Sequence, residues 1–193
     1  NLLLLAVFTI LLYSVAIISP AEIISRFFYS SYYISCAVLM RFMLRYVIKL
    51  TDSEKQIPAL HYSIKFFMWL DVILMISNMF FKNVFSCTAE KLSTGATVFY
   101  MTNRTPLIAV HRAYVYSMFI LIFLTLVYNI VRLPGLYRKK LYITLGLCVL
   151  ALVSNISFIV FRTPVDFSIA SYALVAAGIY YFSVIYIPFD LVE

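Results

Sequence analysis

The chain has 193 residues, of which 64% are hydrophobic and 12% charged, and its formal net charge is +7 at pH 7. A soluble domain carries roughly 25% charged residues, and a soluble globule of this length would expose far more apolar surface than water tolerates. The composition therefore excludes a water-soluble fold and indicates an integral membrane protein. The basic residues lie beside apolar runs and not among exposed aromatic residues, so we expect no nucleic-acid partner.

Cysteine usage and the chain ends add two expectations. Cys36, Cys87 and Cys148 are far apart and have no neighbouring histidine, so neither a disulfide framework nor a metal site is predicted. The chain starts with Asn1, is apolar from Leu2 onward and has no preceding basic segment, so it does not resemble an intact signal peptide. Because it also ends abruptly in FDLVE, we expect it to be a fragment cut at both ends.

Six segments are long and apolar enough to cross the hydrocarbon core of a membrane, which takes roughly 20 residues as a helix. They lack the two-residue alternation of a transmembrane barrel, and an open strand edge is not possible in lipid. The sequence therefore predicts an all-α membrane protein, a bundle of six transmembrane helices forming one domain over residues 1–193. The predicted helices cover about 2–18, 27–48, 64–81, 107–131, 141–161 and 167–188.

The distribution of lysine and arginine predicts the orientation of this bundle. Of the 15 basic residues, the second and fourth connections with their adjoining helix ends carry nine, and the opposite side carries the other six. The compact segment RLPGLYRKK at 132–140 holds four cations in a tight turn between two strongly apolar helices. By the positive-inside rule this turn lies in the cytoplasm, so both chain ends lie inside and the loop between helices three and four lies outside.

That outer loop contains two short segments that favour strand. NVFSCT at 83–88 and TVFYMT at 97–102 flank the turn-forming residues AEKLSTG. A small hairpin acting as a lid over the helix ends is predicted, with a floppy loop as the alternative.

Two ionisable residues are predicted to lie within the membrane. Asp71 is about seven residues into the third helix, ~10 Å from its cytoplasmic end at 1.5 Å per residue, and Arg41 lies at a similar depth in the second. Such residues are functional candidates, but they also pair with one another. We predict a structural Arg41–Asp71 ion pair that joins the two helices. The alternative, a proton relay, would need more than one deep carboxylate.

A second group of polar residues is predicted to lie at one depth beneath the outer surface. Its members come from the last three helices and the turn FRTPVDF, namely His111, Arg112, Asn155, Arg162, Asp166 and Tyr172. We predict that they line a small polar, ligand-binding cavity. Other interpretations stay open: Arg112 and Arg162 could reach lipid headgroups while tyrosines form an aromatic belt. His111 and Asn155 could equally make plain hydrogen bonds between helices.

Motifs of catalysis are missing from the sequence. It contains no P-loop, no Gly-rich phosphate loop, no HExxH and no nucleophile elbow. We therefore expect no catalytic residue, no cofactor and no enzyme activity in this chain.

Several short motifs follow one another in an order that resembles a known family. They are SPAEIISRFFYSSYYISCAVLMRFMLRYV, ISNMFF, PLIAVHRAYVYS, YRKK, SN at 154–155, PVDFS at 164–168 and PFDLVE. Through almost the whole chain the pattern resembles the N-terminal seven-transmembrane sensor region of bacterial histidine kinases, which is also found fused to diguanylate cyclase domains. His111 and Asn155 fall on matching positions.

The chain departs from this family at the step that precedes the outer hairpin. The family's TN-P-L-H step has a histidine where this chain has Phe81 and a proline where it has Met79. No role of that histidine is carried over. The resemblance also implies one more helix upstream of Leu2, which makes seven in the parent protein and leaves the predicted orientation unchanged.

The resemblance implies a dimeric, multi-pass sensor domain in a bacterial cell membrane, followed by a cytoplasmic kinase or cyclase after residue 193. The expected partners are the lipid bilayer, an unidentified small molecule and a second copy of the chain. An anion or carboxylate would suit a cavity with His and Arg, and a lipid or quinone-like molecule would suit aromatic walls. A structural anchor that promotes dimerisation and a small transporter or channel subunit are the rival functions. Four glycines are few for the broken helices of a transporter.

Overall fold

A computed structural model describes residues 2–50, 58–102, 104–132, 135–161, 166 and 168–181. Within these ranges the protein consists of six helices and one two-stranded antiparallel sheet. The elements in chain order are α1 (Leu2–Ile18), α2 (Glu22–Leu50), α3 (Pro58–Phe81), β1 (Ser86–Lys91), β2 (Thr97–Thr102), α4 (Ile108–Arg132), α5 (Gly135–Phe161) and α6 (Ser168–Tyr180).

The helices match the predicted order, and several extend beyond the apolar runs from which they were predicted. α2 begins at 22 and not at 27, α3 at 58 and not at 64, and α5 at 135 and not at 141. Charged and polar residues can continue a helix past its apolar run because the backbone hydrogen bonds are made within the helix. The predicted end of the sixth helix, 181–188, lies mostly outside the described residues.

The surface of the bundle is apolar while its interior holds polar groups. Large hydrophobic side chains are exposed on all six helices, and polar side chains such as Thr9, Ser30, Asp71 and Asn78 are buried. A soluble monomer rarely exposes so much contiguous apolar surface. Four helices, α2 to α5, are long and apolar enough to cross a membrane, and α1 and the described part of α6 are shorter apolar helices.

Helix α2 is central to the packing. It contacts α1, α3, α4 and both strands, whereas α5 packs mainly against α4 and α6. One apolar cluster fills the interior between α2, α4 and α6, around Met40, Met43, Ile122 and Leu126. A second apolar cluster, which includes several tyrosine and phenylalanine side chains, lies at and beneath the hairpin. We call this part of the molecule the hairpin end of the bundle.

The predicted hairpin is present, with its first strand displaced along the chain. β2 lies where it was predicted, and β1 covers 86–91 in place of 83–88, with Ser86 paired to Thr102. The displacement has a local cause: the Asn78 side-chain oxygen accepts hydrogen bonds from the backbone N–H groups of Val84 (2.8 Å) and Phe85 (3.1 Å). These N–H groups are therefore not free to join the sheet. The turn closes at Gly95, whose φ of +83° favours glycine.

Candidate functional site

A small cavity lies at the hairpin end between α2, α4, α5 and the segment before α6. Its volume is about 40 Å³, which is room for one or two water-sized groups. It continues into a larger cleft of about 780 Å³ beneath the hairpin. The residues that line both are Tyr32, Tyr33, Arg104, Arg112, Phe158, Ile159 and Asp166. The hairpin contributes Glu90, Tyr100, Met101 and Thr102 to the cleft only.

The structure brings five of the six predicted ligand-binding residues to this cavity. They are His111, Arg112, Asn155, Asp166 and Tyr172. The sixth, Arg162, lies outside the described residues. The five come from α4, α5, α6 and the segment before α6, as the shared depth of these positions in the sequence predicted.

The deep carboxylate has a different partner from the predicted one. Oδ2 of Asp71 lies 2.8 Å from Nδ1 of His111, and both side chains are buried. The predicted partner, Arg41, donates instead to Sδ of Met68 at 3.5 Å. Among the described residues, the basic side chain within ion-pair distance of Asp71 is His111 and not Arg41.

The earlier start of α3 explains this correction. Asp71 lies 13 residues after Pro58, about 20 Å along the helix rather than the predicted ~10 Å. Arg41 lies nine residues before the end of α2, about 13 Å from that end. α3 therefore presents Met68 at the level of Arg41, while Asp71 lies about one turn further toward the hairpin end and meets α4.

Asn155 connects three helices from its position at the cavity. Its Oδ1 accepts a hydrogen bond from the hydroxyl of Tyr116 on α4 at 2.7 Å. Its Nδ2 donates to Oγ of Ser168, the first residue of α6, at 3.2 Å. The two interpretations of this residue therefore coincide: Asn155 makes hydrogen bonds between helices and also lines the cavity.

Asp166 connects the start of α6 to α1 and α2. Its Oδ1 accepts from the backbone N–H (3.0 Å) and hydroxyl (2.5 Å) of Ser168, and its Oδ2 accepts from the hydroxyl of Tyr32 (3.0 Å). Its own N–H donates to the hydroxyl oxygen of Tyr13 at 2.6 Å. Burial raises the pKa of Asp166, and the hydrogen bonds from Ser168 and Tyr32 and the charge of Arg104 partly oppose this. Asp166 thus links α2 and α6 through a carboxyl group that is costly to charge, and α1 through its backbone N–H.

The contributions of Arg104 and of α2 to the cavity were not predicted from the sequence. Arg104 is one of the six basic residues on the predicted outer side, and its guanidinium carbon lies 5.6 Å from the ring centroid of Phe158. Its place between a predicted strand and the helix of His111 was the available signal. Tyr32, Tyr33 and Cys36 of α2 also line the cavity, and they reach it because α2 is the central helix, which hydrophobicity alone does not indicate.

No group of three His, Cys, Asp or Glu side chains that could hold a metal ion occurs in the described part of the chain.

Neither a protein-family model, nor a curated protein, nor a solved structure matches this chain. The likeness to sensor regions of histidine kinases therefore rests on the sequence motifs alone.

Proposed function

We propose that this chain is the ligand-sensing domain of a bacterial membrane signalling protein. One observation carries the proposal: polar side chains from α2, α4, α5 and the start of α6 converge on a cavity that opens into a cleft beneath the hairpin. Sites for small molecules are concave, with aromatic walls and a few convergent polar groups, and commonly measure about 300–1,000 Å³. The cleft and cavity together have this character.

The proposed arrangement places all six helices across the bacterial cell membrane, with the hairpin outside and the C-terminal end of α6 in the cytoplasm. The exposed apolar side chains on every helix support the membrane location. The cations around 132–140 support the orientation, because short cytoplasmic connections are enriched in lysine and arginine. A ligand would then reach the cleft from outside the cell.

The proposed mechanism runs through α6. A ligand in the cavity contacts α4 and α5 as well as Asp166, which precedes α6, and Tyr172, which lies in the first turns of α6. It favours whichever helix packing it binds more tightly, and shifts the equilibrium only by that difference in affinity. The helix carries the change toward a histidine kinase or diguanylate cyclase, within a dimer, as the sequence resemblance implies.

A structural anchor is the second candidate, because several polar side chains of the site already make hydrogen bonds to other side chains of the protein. Asn155 and Asp166 bond to side chains on neighbouring helices. In this case the cavity stays empty in the functioning protein, and unrelated transmembrane helices could replace the domain without changing the output.

The test measures signalling output of the full-length protein in its native membrane, as autophosphorylation or cyclic dinucleotide synthesis. We expect His111→Ala and Tyr172→Phe to alter the output at equal protein levels; the second change retains the ring that stacks on Phe119. Ser117→Ala, an exposed position on α4, and Ile156→Ala, an exposed position on α5, serve as controls. Output that is the same in all four variants as in the wild type would exclude the sensor function.

A further inference from the structure

We infer that the ligand of this site is a small soluble organic carboxylate whose anionic group is bound by Arg104 and Arg112. This inference rests on the proposed function and adds the chemical class of the ligand. Both arginines line the small cavity as well as the cleft. They are therefore at the junction where an anionic group could enter the cavity while the rest of the molecule remains in the cleft.

Neither guanidinium group lies within ion-pair distance of an acidic side chain in the described part of the chain. The acid–base contacts within ion-pair distance there join Glu22 to Arg26, Glu22 to Lys82, and Asp71 to His111. Arg104 is exposed and stacks against Phe158, and Arg112 is half-buried. A guanidinium presents a planar set of donors that matches a carboxylate in a two-point contact. Both arginines can therefore bind such a ligand without first breaking an ion pair within the protein.

The acidic residues of the site offer little to a cationic ligand. Both carboxylate oxygens of Asp166 are engaged, by Ser168 and by Tyr32. Oδ2 of Asp71 is engaged by His111. The remaining acid is Glu90 on β1, exposed at the edge of the cleft. Hydrogen bonds from neutral groups occupy the oxygens of Asp166 without removing its charge, so the charged lining groups that can still bond a ligand are the two arginines and the peripheral Glu90. Two guanidinium groups against one exposed carboxylate favour an anion.

The walls of the cleft indicate the chemistry of the rest of the ligand, beyond its anionic group. Its lining includes five tyrosines, Tyr13, Tyr29, Tyr32, Tyr33 and Tyr100, together with Phe158. Aromatic rings bind flat apolar groups by stacked or edge-on contacts, and a tyrosine hydroxyl adds a polar contact. The small cavity, at about 40 Å³, has room for little more than the anionic group. A carboxylate attached to a flat organic body fits both parts.

The experiment measures binding of three matched probes to the purified full chain in nanodiscs of phosphatidylcholine, by calorimetry. Benzoate is the anion, benzamide its uncharged analogue and benzylamine the cation. We expect benzoate to bind at least about tenfold more tightly than benzamide, and benzylamine to bind least, because charge-assisted hydrogen bonds are about twice as strong as neutral ones. Arg104→Gln and Arg112→Gln are each expected to weaken benzoate binding by roughly 10- to 100-fold.

Lys91→Gln is the matched control, since it removes one positive charge from the hairpin at a residue outside the lining of the cleft; we expect unchanged affinity for benzoate. Benzamide binding as tightly as benzoate would overturn the carboxylate inference and leave a ligand site in place. Unchanged benzoate affinity in both arginine variants would do the same.

Two further outcomes bear on the source of the anion. Addition of phosphatidylglycerol to the nanodiscs is expected to leave benzoate affinity unchanged; a large loss would identify a lipid headgroup as the occupant and overturn a soluble ligand. No binding of benzoate at about 10 mM, where a site with a Kd of ~1 mM is about nine-tenths filled, also overturns the inference. The proposed function is then judged separately, by the signalling variants.

Discussion

Nδ1 of His111 and Oδ2 of Asp71 lie 2.8 Å apart in the buried interior. Because His111 lines the cavity and Asp71 belongs to α3, this contact connects the cavity to α3. The ring of His111 also meets Tyr33 edge-on, with centroids 4.6 Å apart. Oδ1 of Asp71 is buried and has no hydrogen-bond partner among the described residues. Among the described residues, His111 is therefore the group that satisfies this carboxyl.

Removal of either member of this pair is expected to destabilise the protein. His111→Leu leaves the Asp71 carboxyl buried with neither oxygen bonded to a described residue, which costs about 3–5 kcal/mol in buried pairs. The double variant Asp71→Leu/His111→Leu removes both polar groups and is expected to recover most of that loss. The measurement is the free energy of unfolding in detergent micelles, arranged as a double-mutant cycle.

Ser117→Ala is the control on the same helix, because its hydroxyl is exposed and bonds only to the Ala113 carbonyl of its own helix. It is expected to change the unfolding free energy by less than about 0.5 kcal/mol. A double variant whose loss equals the sum of the two single losses would show that the two side chains do not interact.

Asn78 is expected to hold the hairpin in place. Its Oδ1 accepts the N–H groups of Val84 and Phe85, and its Nδ2 donates to Oγ of Ser30 at 3.2 Å. Asn78→Ala leaves two buried N–H groups without a partner, each worth about 1–3 kcal/mol. We expect the segment from α3 to β1 to open, and hydrogen exchange at these two amides to rise.

Cys87, two residues beyond Phe85, supplies a chemical readout of that opening. The thiol is buried, and burial raises its pKa to about 11. At pH 8 about one thiol in a thousand is then ionised, so alkylation by iodoacetamide is slow in the wild type. Asn78→Ala is expected to accelerate it at least several-fold. Ile76→Ala, an exposed position on the same helix, should leave the rate unchanged; equal rates in Asn78→Ala and wild type would contradict the role of Asn78.

The stability of the protein is expected to depend on pH through Asp166. Burial raises its pKa above the ordinary 3.8, with Ser168, Tyr32 and Arg104 acting in the opposite direction. A carboxyl with a raised pKa in the folded state contributes stability below its unfolded value, and this contribution is lost as pH rises through the folded value. The free energy of unfolding is therefore expected to fall as pH rises from about 4 toward neutrality.

Asp166→Asn isolates this effect, because an amide keeps an acceptor for Ser168 and does not titrate. We expect the variant to show a flatter dependence of unfolding free energy on pH between about 4 and 7 than the wild type. Glu90→Gln, which removes an exposed acid at the edge of the cleft, should retain the wild-type slope. Parallel slopes in wild type and Asp166→Asn would assign the pH dependence to other groups.

The helices and the hairpin could be read from the sequence because each depends on local pattern. Apolar runs of membrane-spanning length predicted all six helices, and strand-favouring residues around Gly95 predicted the hairpin. The gathering of His111, Asn155 and Asp166 at one cavity also followed, since residues at equal distance from the helix ends lie at equal depth.

The side-chain contacts between helices could not be predicted in the same way. The choice of His111 over Arg41 as partner of Asp71 depends on where α3 begins and on how the helices are offset. An error of six residues at a helix start moves a side chain by about 9 Å along the axis, more than the reach of an ion pair. Arg104 was missed for a related reason: loop residues acquire a position only when the hairpin and α4 are both in place.

The proposed orientation makes a prediction about two exposed positions at opposite ends of the bundle. Thr94 lies in the turn of the hairpin and Lys139 in the first turns of α5. A membrane-impermeant maleimide added to intact cells is expected to label Thr94→Cys and to label Lys139→Cys only after permeabilisation. The native cysteines are all buried and should give a low background.

The physical reason is the cost of moving the cations of 132–140 across the membrane, which the positive-inside rule expresses. The unmodified chain is the control for background, and permeabilised cells are the control for reactivity of each new thiol. Labelling of Lys139→Cys but not Thr94→Cys in intact cells would invert the bundle and place the cleft in the cytoplasm. The ligand would then come from inside the cell, so this experiment decides which compartment the proposed sensor monitors.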